Sequence, residues 1–138
     1  MYVTGRDHDY RYKIITMKQH NTSFLKACSH AFNGMKLFFL HERNGKIQLG
    51  IAIITLIAAG LLGISSAEWV AILFCIALVI SLEMLNSALE KLCDVVQEEY
   101  HPVIKIIKDV AAAAVLWSSI ASAIIGAIIL LPKIGARL

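Results

Sequence analysis

Long apolar runs and short polar breaks divide the chain into elements of two kinds. Residues 47–64 and 110–131 carry no ionisable side chain, and at about 1.5 Å per residue each can cross roughly 30 Å of hydrocarbon. Residues 69–82 form a third uncharged run; it spans only if its helix continues through the acidic stretch that starts at Glu83. Further upstream the pattern changes. Phe24, Ala27, Cys28, Ala31, Phe32, Met35 and Phe39 recur at intervals of three and four, with Lys26, His30, Asn33 and Lys36 between them. That spacing predicts an amphipathic helix over about 22–43, lying in the membrane interface with its cationic face toward anionic headgroups. The competing reading, a core helix, leaves it no soluble domain to pack into.

The breaks set the remaining boundaries. His41, Glu42, Arg43, Asn44 and Gly45 separate the interfacial helix from a first span of about 46–64. Gly60 and Gly63 end that span, and Ser65, Ser66, Ala67 and Glu68 form a tight turn before Trp69, an interfacial anchor at the start of a second span of about 68–97. Pro102 disfavours helical geometry at His101 and stops the second helix near Tyr100. A third span follows over about 107–131, with Asp109 at its opening, where it can serve as an N-terminal cap or as a first-turn acid. Ala111–Ala114, Ser118, Ser119, Ala121, Ser122, Ala123 and Gly126 make this third helix suited to close packing. The expected fold is all-α: three transmembrane helices plus the interfacial helix, in one membrane domain over 21–138. A polar extension over 1–20 has no assigned function.

The second span carries the unusual chemistry. At about 100° per residue, Glu83, Asn86, Glu90 and Asp94 fall within an arc of about 80°, while Leu82, Met84, Leu85, Leu89 and Leu92 occupy the other flank. Counted from Trp69, Glu83 lies about 21 Å inward, past the midplane, and Glu90 and Asp94 reach water. A carboxylate in hydrocarbon costs on the order of 3 kcal/mol on insertion scales. Glu83 therefore requires a proton, water or a partner.

Composition sharpens the class. The 138 residues are 58% hydrophobic, with a mean hydropathy of +0.69, well above soluble domains. The net charge of +3 conceals an asymmetry, with eight Lys/Arg against three acids in residues 1–46 and three Lys against six acids in residues 83–109. The distribution of Lys/Arg around the spans puts the N-terminus and the loop between the second and third spans in the cytoplasm and the C-terminus outside. Cys28, Cys75 and Cys93 follow no metal or disulfide spacing and read as small apolar fillers. The N-terminus lacks the apolar core of a signal peptide.

Three spans enclose little, so the polar face calls for oligomerisation. Hard carboxylate oxygens without sulfur or imidazole clusters suit Mg²⁺ with substrate phosphates; a lysine can hold phosphate as a point charge, and a further carboxylate can accept a hydroxyl proton. Phosphoryl transfer fits this set, although no Walker-type loop is present. A proton-linked, non-enzymatic membrane subunit fits it too, with Glu83 as a relay and Lys108–Asp94 as a structural pair.

The residues Glu83-Met-Leu-Asn86-Ser-Ala-Leu-Glu90-Lys-Leu-Cys-Asp94, then Glu99-Tyr-His101, then Lys108-Asp109-Val-Ala-Ala-Ala-Ala-Val115 resemble the signature of the prokaryotic diacylglycerol kinase family. The resemblance runs over about residues 24–133. It implies a homotrimeric lipid kinase of the bacterial inner (cytoplasmic) membrane that uses ATP with Mg²⁺, its partners being a lipid alcohol and the bilayer and not nucleic acid. Carried over residue by residue, it implies metal binding by Glu42 and Glu90. Glu42, Asn86, Glu90, Asp94, Glu99, Tyr100, His101, Lys108 and Asp109 are then nucleotide-binding, and Glu83 is the catalytic base that meets the lipid substrate. Glu42-Arg43-Asn44, Glu68-Trp69, His101-Pro102 and Leu131-Pro132-Lys133 are more similar to the undecaprenol kinase branch of Gram-positive bacteria. Diacylglycerol, with phosphatidic acid as product, is the alternative substrate. Ala112 and Ala113 depart from the residues usual in one branch or the other.

Overall fold

The computed structural model describes residues 23–137; the polar extension over 1–20 lies outside them. Four helices follow in order: α1 Phe24–His41, α2 Arg43–Leu62, α3 Ser66–Val96 and α4 Pro102–Gly135. The chain divides into two compact units, Met1–Gly34 and Met35–Leu138. In the first, Phe24, Leu25 and Phe32 are exposed. The second holds everything that positions the site.

The link from α1 to α2 is a single residue, Glu42, with extended backbone. This tight turn depends on Gly45, because a Cβ there would lie 2.7 Å from the Phe38 carbonyl oxygen and about 3 Å from its ring. Phe38 is buried as a result. At the other end of α2, Gly63 takes φ 65° and closes the helix through N–H bonds to the carbonyls of Ala59 and Gly60, a left-handed C-terminal turn that an L side chain would strain. Ser65 and Glu68 then form a reciprocal capping box: Ser65 Oγ accepts from the Glu68 N–H, and Glu68 Oε2 accepts from the Ser65 N–H at 2.6 Å. This start signal sits inside the stretch read from sequence as a turn, so α3 begins there at once.

Around this turn Ala59, Ile64 and Ile72 form the apolar core, packed by Leu56, Trp69, Ile129 and Leu130. Helices α2, α3 and α4 therefore meet there. Each of the three is long and apolar enough to cross a membrane. With 31 and 34 residues, α3 and α4 measure about 46 and 51 Å, well beyond the hydrocarbon thickness.

Two ion pairs mark the antiparallel register of α3 against α4. Lys133 meets Glu68 at 3.1 Å at one end, and Lys108 meets Asp94 at the other. The paired residue numbers sum to 201 and 202, so the register holds over the intervening 26 residues of α3, about 39 Å. Such a span places each pair just outside a hydrocarbon layer of about 30 Å.

The third span, α4, differs from its sequence reading in two respects. It starts at Pro102 rather than near Asp109, with His101 as N-cap, extended backbone at that residue and Pro in the first turn. Proline is pre-organised for that position, and His101 Nδ1 accepts from the Val103 N–H at 3.3 Å. Asp109, eight residues into the helix, is neither cap nor first-turn acid. Close packing along α4 is also confined to one edge: Ser118 is its buried residue, while Ala112, Ala113 and Ala114 are exposed.

Candidate active site

The inward face of α3 is a single stripe whose chemistry changes along its length. Ile72, Cys75, Val79, Glu83, Asn86 and Cys93 are its buried residues, spaced by threes and fours, with Glu90 in phase between the last two. The polar arc read from the sequence is thus the continuation of the apolar seam. Leu85, Leu89 and Leu92, on the other flank, are exposed. Glu83 is 3% exposed and Asn86 5%, whereas Glu90 and Asp94 are exposed, so the face divides by depth.

Within that stripe the hydrogen bonding is incomplete. Asn86 Nδ2 donates to Glu90 Oε1 at 2.8 Å, which uses the amide to orient one carboxylate. Glu83 Oε1 and Asn86 Oδ1 are buried acceptors without a donor. A buried polar group left unpaired costs on the order of 1–3 kcal/mol; the two atoms lie on adjacent turns of one helix and present acceptors where a hydroxyl or amine could donate.

Glu42 stands in the N-cap position of α2 but its side chain does not cap. It reaches α3 instead and pairs with Lys91, the residue after Glu90. The turn at Glu42 thus delivers one acid from the α1–α2 link to the acidic end of α3. Among the described residues no three of His, Cys, Asp and Glu cluster as a metal-binding group. Two carboxylates from different elements suit a divalent ion that arrives with phosphate oxygens and water already bound, which is how Mg²⁺ is usually held. They would not make a closed resident site.

Beyond the seam, a pocket of about 360 Å³ opens where the α3–α4 connection passes over the first turns of α4. Asp94, Glu99, Tyr100, His101, Lys108 and Asp109 all line it, so six of the nine residues expected around a nucleotide come together there. Asn86, Glu90 and Glu42 do not line it. Lys105, which the sequence reading left out, is part of its wall and pairs with Asp109 at 2.6 Å. Lys91 was passed over as well. Lys105 was detectable as a cation one turn before Lys108 and four residues before Asp109; Lys91 offered no signal, since its partner lies 49 residues away.

A second cavity, about 400 Å³, runs between α2, α3 and α4. Ile51, Ile72, Ile76, Val79 and Ile80 make it apolar, with Gln48, Thr55, Ser119 and Ser122 at intervals. Val79 lies one turn from Glu83.

Three helices long and apolar enough to cross a membrane carry a carboxylate sunk in their seam and charged side chains gathered at their ends; the class is that of a membrane lipid kinase. The family model of prokaryotic diacylglycerol kinase matches residues 29–130, and the chain belongs to that family. Undecaprenol kinase of Bacillus subtilis strain 168 is 38% identical over 111 residues, covering 80% of this chain and 90% of its own length. A diacylglycerol kinase of Synechocystis is 38% identical over 115 residues, 81% of this chain and 65% of the relative. The diacylglycerol kinase of Escherichia coli K12 is 30% identical over 115 residues, 83% and 93% of the two chains.

Proposed function

We propose that the protein transfers the γ-phosphate of ATP to the hydroxyl of undecaprenol, giving undecaprenyl phosphate and ADP. The observation that carries the chemistry is the buried Glu83 carboxylate with an acceptor oxygen lacking a donor. A lipid alcohol supplies that donor: its O–H hydrogen-bonds to Glu83, the proton passes to the carboxylate, and the oxygen forms the new bond to the γ-phosphorus as the bond to ADP breaks. Asn86 holds Glu90 in place. Lys108 exchanges Asp94 for a phosphate oxygen, and Asp94, Glu99, Tyr100, His101 and Asp109 surround the nucleotide. Glu42 and Glu90 would hold Mg²⁺, which when bound neutralises charge on the phosphates. Lys91 keeps Glu42 beside α3.

The choice of lipid rests on the undecaprenol kinase relative, matched over 90% of its length. The apolar cavity beside Val79 accommodates part of an isoprenoid tail. In this reading the acidic ends of α3 and α4 face the cytoplasm of a bacterial inner membrane, as does the N-terminus, and the C-terminus is outside. The interfacial helix lies over the headgroups, and the exposed Ala112–Ala114 face of α4 packs against neighbouring copies in a homotrimer. Purified protein in mixed micelles, given labelled ATP and a panel of undecaprenol, diacylglycerol and ceramide, tests the reading. Phosphorylated undecaprenol as the dominant product is expected; a strong preference for diacylglycerol would overturn the substrate while leaving the chemistry, and no phosphorylated lipid at all would overturn both.

A further inference from the structure

The pocket at the α3–α4 connection has a charge problem that its expected residues do not solve. Asp94, Glu98, Glu99 and Asp109 bring four negative charges to its wall, and Lys105 and Lys108 bring two positive ones. A nucleoside triphosphate with one divalent ion adds about two more negative charges. Like charges at close range oppose binding, so each lysine in the wall counts, and Lys108 alone would leave the pocket one charge more negative.

The two lysines are built alike. Each is engaged by a pocket carboxylate, Lys108 by Asp94 and Lys105 by Asp109. They stand three residues apart on α4, which makes them neighbours on one helix face, with Cβ atoms about 5–6 Å apart. That separation is within reach of successive phosphates of one polyphosphate chain. The Lys105–Asp109 pair is largely exposed, at 59% and 63% of the side chains, and exposed i,i+4 pairs stabilise a helix only weakly. The pair is thus cheap to break, and a phosphate dianion or Mg²⁺-bound phosphate competes well for an ammonium.

We propose that Lys105 is a second phosphate-contacting residue of the nucleotide pocket, releasing Asp109 and binding a phosphate oxygen beside the one held by Lys108 when the pocket fills. This assignment rests on the nucleotide reading of the pocket given above. Releasing Asp109 also frees its carboxylate for the remainder of the nucleotide or its metal.

The test is equilibrium binding of a fluorescent, non-hydrolysable ATP analogue to the detergent-solubilised full chain, with thermal unfolding measured in parallel. Lys105→Met should raise the Kd for the analogue roughly three- to tenfold and flatten its salt dependence, with KM for ATP rising in step and KM for the lipid unchanged. Lys105→Arg should restore most of the binding. If Lys105→Met lowers the unfolding temperature while the analogue binds as to wild type, the lysine is a helix-stabilising partner of Asp109 and the assignment falls. Lys108→Ala is the control for the underlying reading: weakened binding there with none lost in Lys105→Met overturns Lys105 alone, whereas wild-type protein that does not bind the analogue overturns the nucleotide pocket and the assignment together.

Discussion

Glu83, Glu90 and Lys108 are three charged residues whose environments differ, and the differences assign them different failures. Glu83 is buried in the seam with an acceptor oxygen unpartnered. Replacement by Gln keeps the shape and removes the proton acceptor, so kcat should fall on the order of 10²- to 10⁴-fold with ATP binding intact; single-turnover phosphorylation of lipid measures it, and a fully active variant would remove Glu83 from the chemistry. Glu90 is exposed and held by the Asn86 amide. Glu90→Gln should fold normally and lose transfer, with partial recovery at high Mg²⁺, because one oxygen ligand of the proposed metal site loses its charge. Metal titration of the rate checks this, and wild-type metal dependence would sink it. Lys108→Ala should chiefly raise KM for ATP, by about tenfold or more if a charged hydrogen bond is lost.

At the scale of the elements, the tight α1–α2 turn governs where Glu42 stands. Gly45→Ala would bring a Cβ to 2.7 Å from the Phe38 carbonyl oxygen, a contact with backbone that no side-chain rotation relieves. The expected result is a lower unfolding temperature together with a higher Mg²⁺ requirement, since the link that carries Glu42 must shift. Ser65→Ala provides a contrast at the far end of α3. It removes one half of the capping box and should cost about 1 kcal/mol of stability with unchanged KM for both substrates, because that turn lies about 27 Å along the helix from Glu83. Differential scanning fluorimetry beside steady-state kinetics separates the two variants. The location of the breaks was legible in both cases from Gly, Ser and polar clusters. That α4 starts at Pro102 was only half legible: the sequence shows that Pro102 excludes His101 from helical geometry, yet the same proline is what opens the next helix, and hydrophobicity alone moved the expected start to the edge of the apolar run.

For the whole molecule, the spans were legible because hydrocarbon forbids charge over about 20 residues, which leaves a mark in any membrane chain. The polar arc of α3 was equally legible, since helical periodicity fixes which side chains share a face. The family motif supplied residue types for the site, and six of those residues do meet in one pocket. Of the long-range pairs, only Lys108 with Asp94 was named from the sequence. Glu42 to Lys91 and Glu68 to Lys133 join residues far apart in sequence, and such pairs depend on the register of one helix against another. By itself, then, the sequence determined that the chain crosses a membrane three times and carries an acidic stripe at helical spacing, because local chain geometry and solvation decide both. The tertiary structure decided that this stripe is the packed seam, that Glu83 is buried there with an acceptor open, and that Lys105 joins Lys108 in the pocket wall, because those facts depend on which helices lie side by side and at what offset.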